Sequence, residues 1–525
     1  MDLFTTQGDF PWTNDGGTLF DPSDDVRTVR KNNDSRRLSA LVVGRMPVGK
    51  RCNLRLLEHL SVRDAGLPGP ASRPTSRARY SRLSSLTAFK LGCHRAERWR
   101  VDAVLGMRFL RSRGEDPSGE LFLVPSDAER SAWAPTASVT FGMALWPALR
   151  LGLHIEGGVE RFTLEDSLNG AQEETTRKRG GAALELGFLL PWIDLEIAPR
   201  VRLDTLDDTS GTQDMTPTWK VGLFARGLKR YGLHLHAAVG TSVRFPSLYE
   251  IYGDGASVLP SEGLLPERAL TVAGGVRFVP TFLPQSSQLR LELSAFASWL
   301  DDLIQFRRSS AQHAKAENDA RAEIAGVEIG LTADLFDHLR LFYGHTTLLS
   351  QSLSPEAARY GKPLPLRPRA EHHARVEGYL RTGSGSELRL YADLDYRSSN
   401  TTDPAGLVRL PARTLVSLGL GWRFNTRGVV GRMGTLELGL VVRGENKSKK
   451  KRQVTDAVVY AGTIQGGCSM ETGDRVLCTN VLLDDIGGTA KSVAWISHPP
   501  SIILRRRLTA HAWFAGTRAC AFHAC

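Results

Sequence analysis

Cysteine is nearly absent from most of this 525-residue chain. Cys52 and Cys93 stand in the first 460 residues, while Cys468, Cys478, Cys520 and Cys525 crowd the last 58. No two are spaced as CxxC, and His511 and His523 near Cys520 do not complete a ligand set, so the spacing gives no zinc site. Long apolar runs are also lacking. The best charge-free window, residues 131–149, is broken by Pro135 and Pro147. Within it Val139, Phe141, Met143 and Leu145 alternate with Ser, Thr, Gly and Ala, a period of 2 that reads as strand. A bundle of membrane helices is therefore excluded, whereas a membrane β-barrel is not, because half of each of its strands faces water. Nucleophile elbow, P-loop and HExxH patterns are missing too, so no catalytic residue, metal ligand or cofactor is expected and an enzyme is not. The N-terminus, MDLFTTQGDFPW, has neither a basic nor an apolar leader region. Taken alone that points to the cytosol, and it equally fits a chain that begins partway through a longer parent.

The net charge is +11. The basic residues are spread among acids, as in Glu387, Arg389, Asp393 and Asp395, and the densest run is residues 447–452, KSKKKR. This reads as a solvated face, with no nucleic-acid partner expected.

What the sequence has in abundance is alternation. In residues 387–398, Leu388, Leu390, Ala392, Leu394 and Tyr396 share one face, against Glu387, Arg389, Tyr391, Asp393, Asp395 and Arg397. Residues 288–299, 149–155, 233–237 and 436–440 repeat the pattern. His234 and His236 fall on a wet face and read as lumen residues. About eighteen such stretches lie between Arg37 and Arg443, the fuller ones near the ten residues that a tilted strand needs to cross a bilayer. Tight joins (227–232 and 381–386) alternate with long polar inserts (111–130, 163–180 and 350–371). Trp133, Trp146, Trp192, Trp219, Trp299 and Trp422 are placed as interfacial girdles near strand ends. The fold class expected is all-β, an antiparallel transmembrane β-barrel with a non-barrel C-terminal tail. Closure removes the edges that lipid would not tolerate. A soluble β-sandwich array or β-helix is the alternative, and no fixed-length repeat supports a solenoid.

The stretch RFPSLYEIYG, residues 244–253, is followed by LLPERA, residues 264–269. Together they resemble the barrel signature of TonB-dependent outer-membrane receptors. The resemblance rests on Arg244, Pro246, Glu250, Tyr252 and Gly253, then Pro266 and Glu267. RAEIAGVEIG, residues 321–330, is similar to another barrel element of that family through Gly326 and Glu328. The early segment GDFPWTNDGGTLFDPSDDVRTVRKNND resembles an early barrel loop. The physical reading is that Pro246 ends a ladder, Phe245, Tyr249 and Tyr252 pack at a rim, and Gly253 and Gly255 permit a left-handed turn. These residues are expected to be architectural rather than ligand contacts.

The resemblance implies an early loop over residues 1–36, a barrel over 37–445, an approach to a closing strand over 446–463, and an atypical cysteine-containing tail over 464–525. It also implies energised uptake of a scarce small-molecule ligand such as an iron-siderophore or cobalamin. Implied partners are outer-membrane lipid and, in a full-length form, a TonB-type energy-transducing protein. The implied location is the bacterial outer membrane. Family members carry a signal peptide, a partner-binding box and a plug, and 22 strands. None of the three is read here, so a truncated or frame-shifted product is expected, unable to transport by itself. A separate small C-terminal domain is the alternative for the tail. A passive porin-like or surface-binding barrel, or a soluble β-rich interaction protein, is the alternative for function.

Overall fold

The structure, a computed structural model, describes residues 2–466 except 9, 15–21, 70–72, 96–97, 122–123, 210–212, 229–230, 285, 311–312, 382–385, 426–433, 448–453 and 462–464. It is one antiparallel meander. In chain order its strands are β1 (Ser35–Val48), β2 (Cys52–Gly66), β3 (Arg79–Arg95), β4 (Trp99–Asp116), β5 (Ser126–Trp146) and β6 (Leu149–Asp166). Next come β7 (Gln172–Leu190), β8 (Leu195–Asp208), β9 (Gln213–Leu228), β10 (Leu233–Arg244), β11 (Glu267–Phe278) and β12 (Gln288–Arg308). The last are β13 (Ala314–Leu335), β14 (Leu339–Ser352), β15 (Ala370–Arg381), β16 (Glu387–Arg397), β17 (Arg413–Asn425), β18 (Gly434–Lys447) and β19 (Val454–Ala461). Each pairs with the next, and Asp2–Thr6 pairs with the start of β1. The segment 131–149 lies mostly in β5, as its alternation requires. β19 falls within residues 446–463. Beyond 466 the tail lies outside the described residues.

The sheet curls into a barrel. A connection anchored on β7 and β8 reaches both the inner face of β5–β6 and that of β12–β13, which a flat sheet would hold far apart. Alternation sets the two faces. Leu390 (61% exposed), Leu380, Val376 and Val201 point out, where lipid takes the place of a core. Their sequence neighbours point in and pair by charge. Glu160 meets Arg108 at 2.9 Å and Arg179 at 3.3 Å, and Glu377 is held by Arg375 and Arg389. His234 and His236 share this inner face.

The two ends differ. The tight joins at 227–232 and 381–386 lie on one rim and the three expected inserts on the other, but two of these are mostly strand: 111–116 and 126–130 flank a join of 117–125, and 163–166 and 172–180 flank a join of 167–171. β12 and β13 run for 21 and 22 residues, about twice what a crossing needs, so the wall continues past the bilayer on the long-loop side. This explains why Trp133, Trp219 and Trp299 sit inside strands rather than at their ends, while Trp146, Trp192 and Trp422 mark the short-turn rim.

At that rim Cys52 and Cys93, directly opposite in the β2–β3 register, form a disulfide across 41 residues. The low cysteine count gives no hint of it; only the register does. Reducing it, or substituting Cys52→Ser, is expected to lower stability by about 2–4 kcal/mol, read as the shift in urea unfolding of the protein in detergent with and without reductant. An unchanged midpoint refutes the bridge.

Candidate functional site

The decorated segment between β10 and β11 does more than turn. Ser247 caps a single turn of helix, α1 (Leu248–Tyr252). Its hydroxyl accepts from the Glu250 amide at 3.2 Å, and the Glu250 carboxylate accepts from the Ser247 amide at 2.7 Å. This reciprocal capping box is legible as Ser-x-x-Glu, a signal that a reading as a plain turn passes over. Gly253 ends the helix at φ +74°, and a Cβ there would stand 2.1 Å from the Val258 carbonyl oxygen. Only glycine fits.

Ion pairs fasten the segment. Arg244 binds Glu250 at 3.0 Å and grips Glu267 with two nitrogens, and Glu267 also accepts the Ile304 amide at 2.7 Å. From the neighbouring wall, Arg177 on β7 donates to the Pro246 carbonyl at 2.6 Å and to Asp208 on β8 at 2.8 Å. Both side chains of that pair are 1% exposed, and Thr175 supplies Asp208 with another donor at 3.0 Å. Arg177 and Asp208 carry no local motif, since they act 69 and 38 residues from Pro246.

The segment folds inward. Leu248 packs with Ala132, Phe162 and Leu164, and Tyr252 stacks on Phe162 at 5.8 Å. On the opposite wall Tyr249 meets Phe306 at 5.9 Å, Ser261 donates to the Ala316 carbonyl, and Val258–Leu259 pairs with the start of β13. Pro266 occupies the extended approach to β11. A second connection, residues 353–369, also tucks in: Leu364 joins Leu303, Ala322 and Ile324, and its Arg359 reaches buried Asp319 on β13. Two small apolar clusters thus roof the mouth from within.

Beneath the roof the lumen wall of β12–β16 hollows into a pocket of about 470 Å³. Glu292, Glu328, Phe342 and Thr346 line it, with the pairs Glu371–Arg397 (3.5 Å) and His373–Asp395 (2.6 Å). Of the sequence-derived residues Glu328 faces this pocket. Gly326, two residues before it, lies under the Phe296 ring, where a Cβ would come within 2.7 Å. Arg244, Pro246, Glu250, Tyr252, Gly253 and Glu267 gather in the roof instead. Among the described residues no group of three or more His, Cys, Asp or Glu side chains could hold a metal.

On the long-loop rim Glu120 clasps residues 76 and 77. Its carboxylate accepts the Arg77 amide at 2.8 Å, the Ser76 hydroxyl at 2.7 Å and the Ser76 amide at 2.7 Å, which pulls its pKa down to about 2.

A family model described as TonB dependent receptor-like, beta-barrel matches residues 65–442. Among solved structures the chain is similar to the copper transporter OprC, at 14% identity and TM-score 0.60, with 84% of this chain and 73% of that one covered. It is similar to the ferric yersiniabactin uptake receptor FyuA from Yersinia pestis, at 13% and 0.59, covering 83% and 70%. The alcaligin outer-membrane receptor FauA from Bordetella pertussis matches at 14% and 0.55, covering 80% and 67%. At such identities the likeness is one of fold. No curated protein matches the sequence.

The roof and the rim each yield an expected outcome. Arg177→Ala strands a buried carboxylate and is expected to cost about 3–5 kcal/mol, seen as faster proteolysis within residues 245–266 and a lower unfolding midpoint. The R177A/D208A pair should recover part of that loss, and a double variant no better than the single one argues against the latch. Glu120, its folded pKa depressed, contributes its clasp fully above the ordinary Glu value of ~4.3 and loses it as pH falls toward about 2. A carboxyl carbon-13 titration of Glu120 with an ordinary midpoint would contradict the clasp.

Proposed function

Since the chain belongs to the family of TonB-dependent receptor β-barrels, we propose that it forms the wall of an outer-membrane receptor that takes up a scarce ligand, too large for a passive pore, with energy supplied from elsewhere in the envelope. The observation that carries the reading is the roofed lumen. Two connections fold into the mouth, and below them a polar pocket opens on the inner wall. A roof fastened by a buried ion pair does not suit free diffusion, and it does suit a passage opened by work done on the protein.

The ligand class we infer is a metal chelate of the iron-siderophore or cobalamin kind. The pocket offers carboxylates, a guanidinium and an imidazole in paired arrangement, which suits hydrogen-bonding to a polar ligand bearing both donors and acceptors. The barrel itself makes and breaks no bonds. The energy-transducing partner is a TonB-type protein acting on the full-length receptor, and the outward apolar band supports a wall set in the bacterial outer membrane. Eight of the nine residues carrying the family resemblance act, in this reading, as architecture, while Glu328 faces the pocket.

A full-length receptor carrying this barrel should restore ligand uptake to a receptor-deficient cell only while the inner membrane is energised. The protein should remain in the pellet after carbonate extraction. Uptake that persists after a protonophore collapses the gradient would overturn the energised reading, and release by carbonate would overturn the membrane wall.

A further inference from the structure

The outward face of β14–β16 holds a group that a lipid-facing wall does not call for. Tyr343 and His345 lie on β14, His372 on β15 and Tyr396 on β16. His345 stands opposite His372, and His372 opposite Tyr396. They alternate along their strands with Phe342, Thr346, His373 and Asp395, and His345 stands in register with the exposed Ile329, so their side chains take the outward row of a wall whose inner side is the lumen pocket, which His345, His372 and Tyr396 also border. Their companions on that side include Val376 and Leu394, both exposed. Ionisable side chains on such a surface are costly unless they have partners, and their presence there points to function.

Three donor atoms meet. His372 Nδ1 lies 3.0 Å from the Tyr343 hydroxyl and 3.2 Å from His345 Nδ1. A neutral imidazole nitrogen either donates or accepts, so one Nδ1 does not serve both neighbours well. His345 Nε2 is 2.8 Å from the Thr347 hydroxyl. If Nε2–H donates to that oxygen, His345 Nδ1 keeps its lone pair, the arrangement by which outer partners orient metal-binding histidines. Two imidazole nitrogens bound tetrahedrally to one metal at about 2.0–2.1 Å stand about 3.3 Å apart, close to the spacing seen.

The geometry points to a divalent transition-metal site on the barrel exterior, built from His345 Nδ1, His372 Nδ1 and the Tyr343 oxygen. Nitrogen-rich donors favour copper(II) over the other first-row divalent ions. The two rings are stacked, with centroids 4.4 Å apart and planes at 30°. Ligation would require the rings to turn about χ2 so that their lone pairs converge.

The test uses the full chain in detergent, its thiols alkylated to silence the C-terminal cysteines, titrated with copper(II) alone by calorimetry and electron paramagnetic resonance. One equivalent should bind with hyperfine coupling to two imidazole nitrogens. His345→Ala or His372→Ala should weaken binding at least about 100-fold, and Thr347→Ala about 10-fold, in line with the loss of an outer partner. His59→Ala, on a distant strand, should change nothing. Circular dichroism of each variant confirms that the strands persist. Binding that is the same in the native chain and in H345A/H372A, or absent from both, overturns the site, whatever the fate of the uptake reading.

Discussion

A backbone that crosses lipid has no water to fall back on, and every amide and carbonyl in the span must find a partner within the protein. That single demand organises this chain. It forces each strand to hydrogen-bond to the next, forces the sheet to curl, and removes the need for an apolar interior, because the lipid takes the apolar side chains. The charged residues then line a hollow. They cannot remain isolated there, so Glu160, Glu377 and their arginines form cross-strand pairs along the wall. What little true core exists lies in the mouth, where Leu248 and Leu364 insert under the long connections.

Much of this is legible because a period of 2 needs only neighbouring residues to be read. The stretch 387–398 forms β16 and 288–299 opens β12, each with its faces as the alternation assigns them. The polar stretch 163–180 reads as a loop and is mostly strand, whereas the asymmetry of the rims is visible in the 350–371 insert. Contacts between residues far apart in the chain are not. Arg177 and Asp208 look like any other charges on alternating strands, and only the register brings Arg177 beneath Pro246. Cys52 and Cys93 look like stray thiols until β2 and β3 are laid side by side. The tryptophans of the upper girdle are expected at strand ends because the sequence does not announce that the strands outrun the bilayer.

The residues that carry the family resemblance have physical reasons of their own. Arg244 is held between two carboxylates, one on the helix turn and one on the returning strand, so it sets the distance between them. Gly253 is required by its backbone angle. Neither lines the pocket on the inner wall. Glu328 does, and it lies with His373 and Arg397 on a wall that no short motif describes. Architecture is thus written locally, while the surface available to a ligand is assembled from five strands.

The way the roof is fastened has a mechanical side. Residues 245–266 are tethered to β7–β8 through Arg177, to β12–β13 through Ser261 and Tyr249, and to the β5–β6 wall through Leu248. A pull on the roof is therefore shared among several tethers in parallel rather than peeling one hairpin open. Such a fitting resists a gentle, thermally driven push and releases collectively once the first tether fails, giving a threshold force rather than a gradual yield.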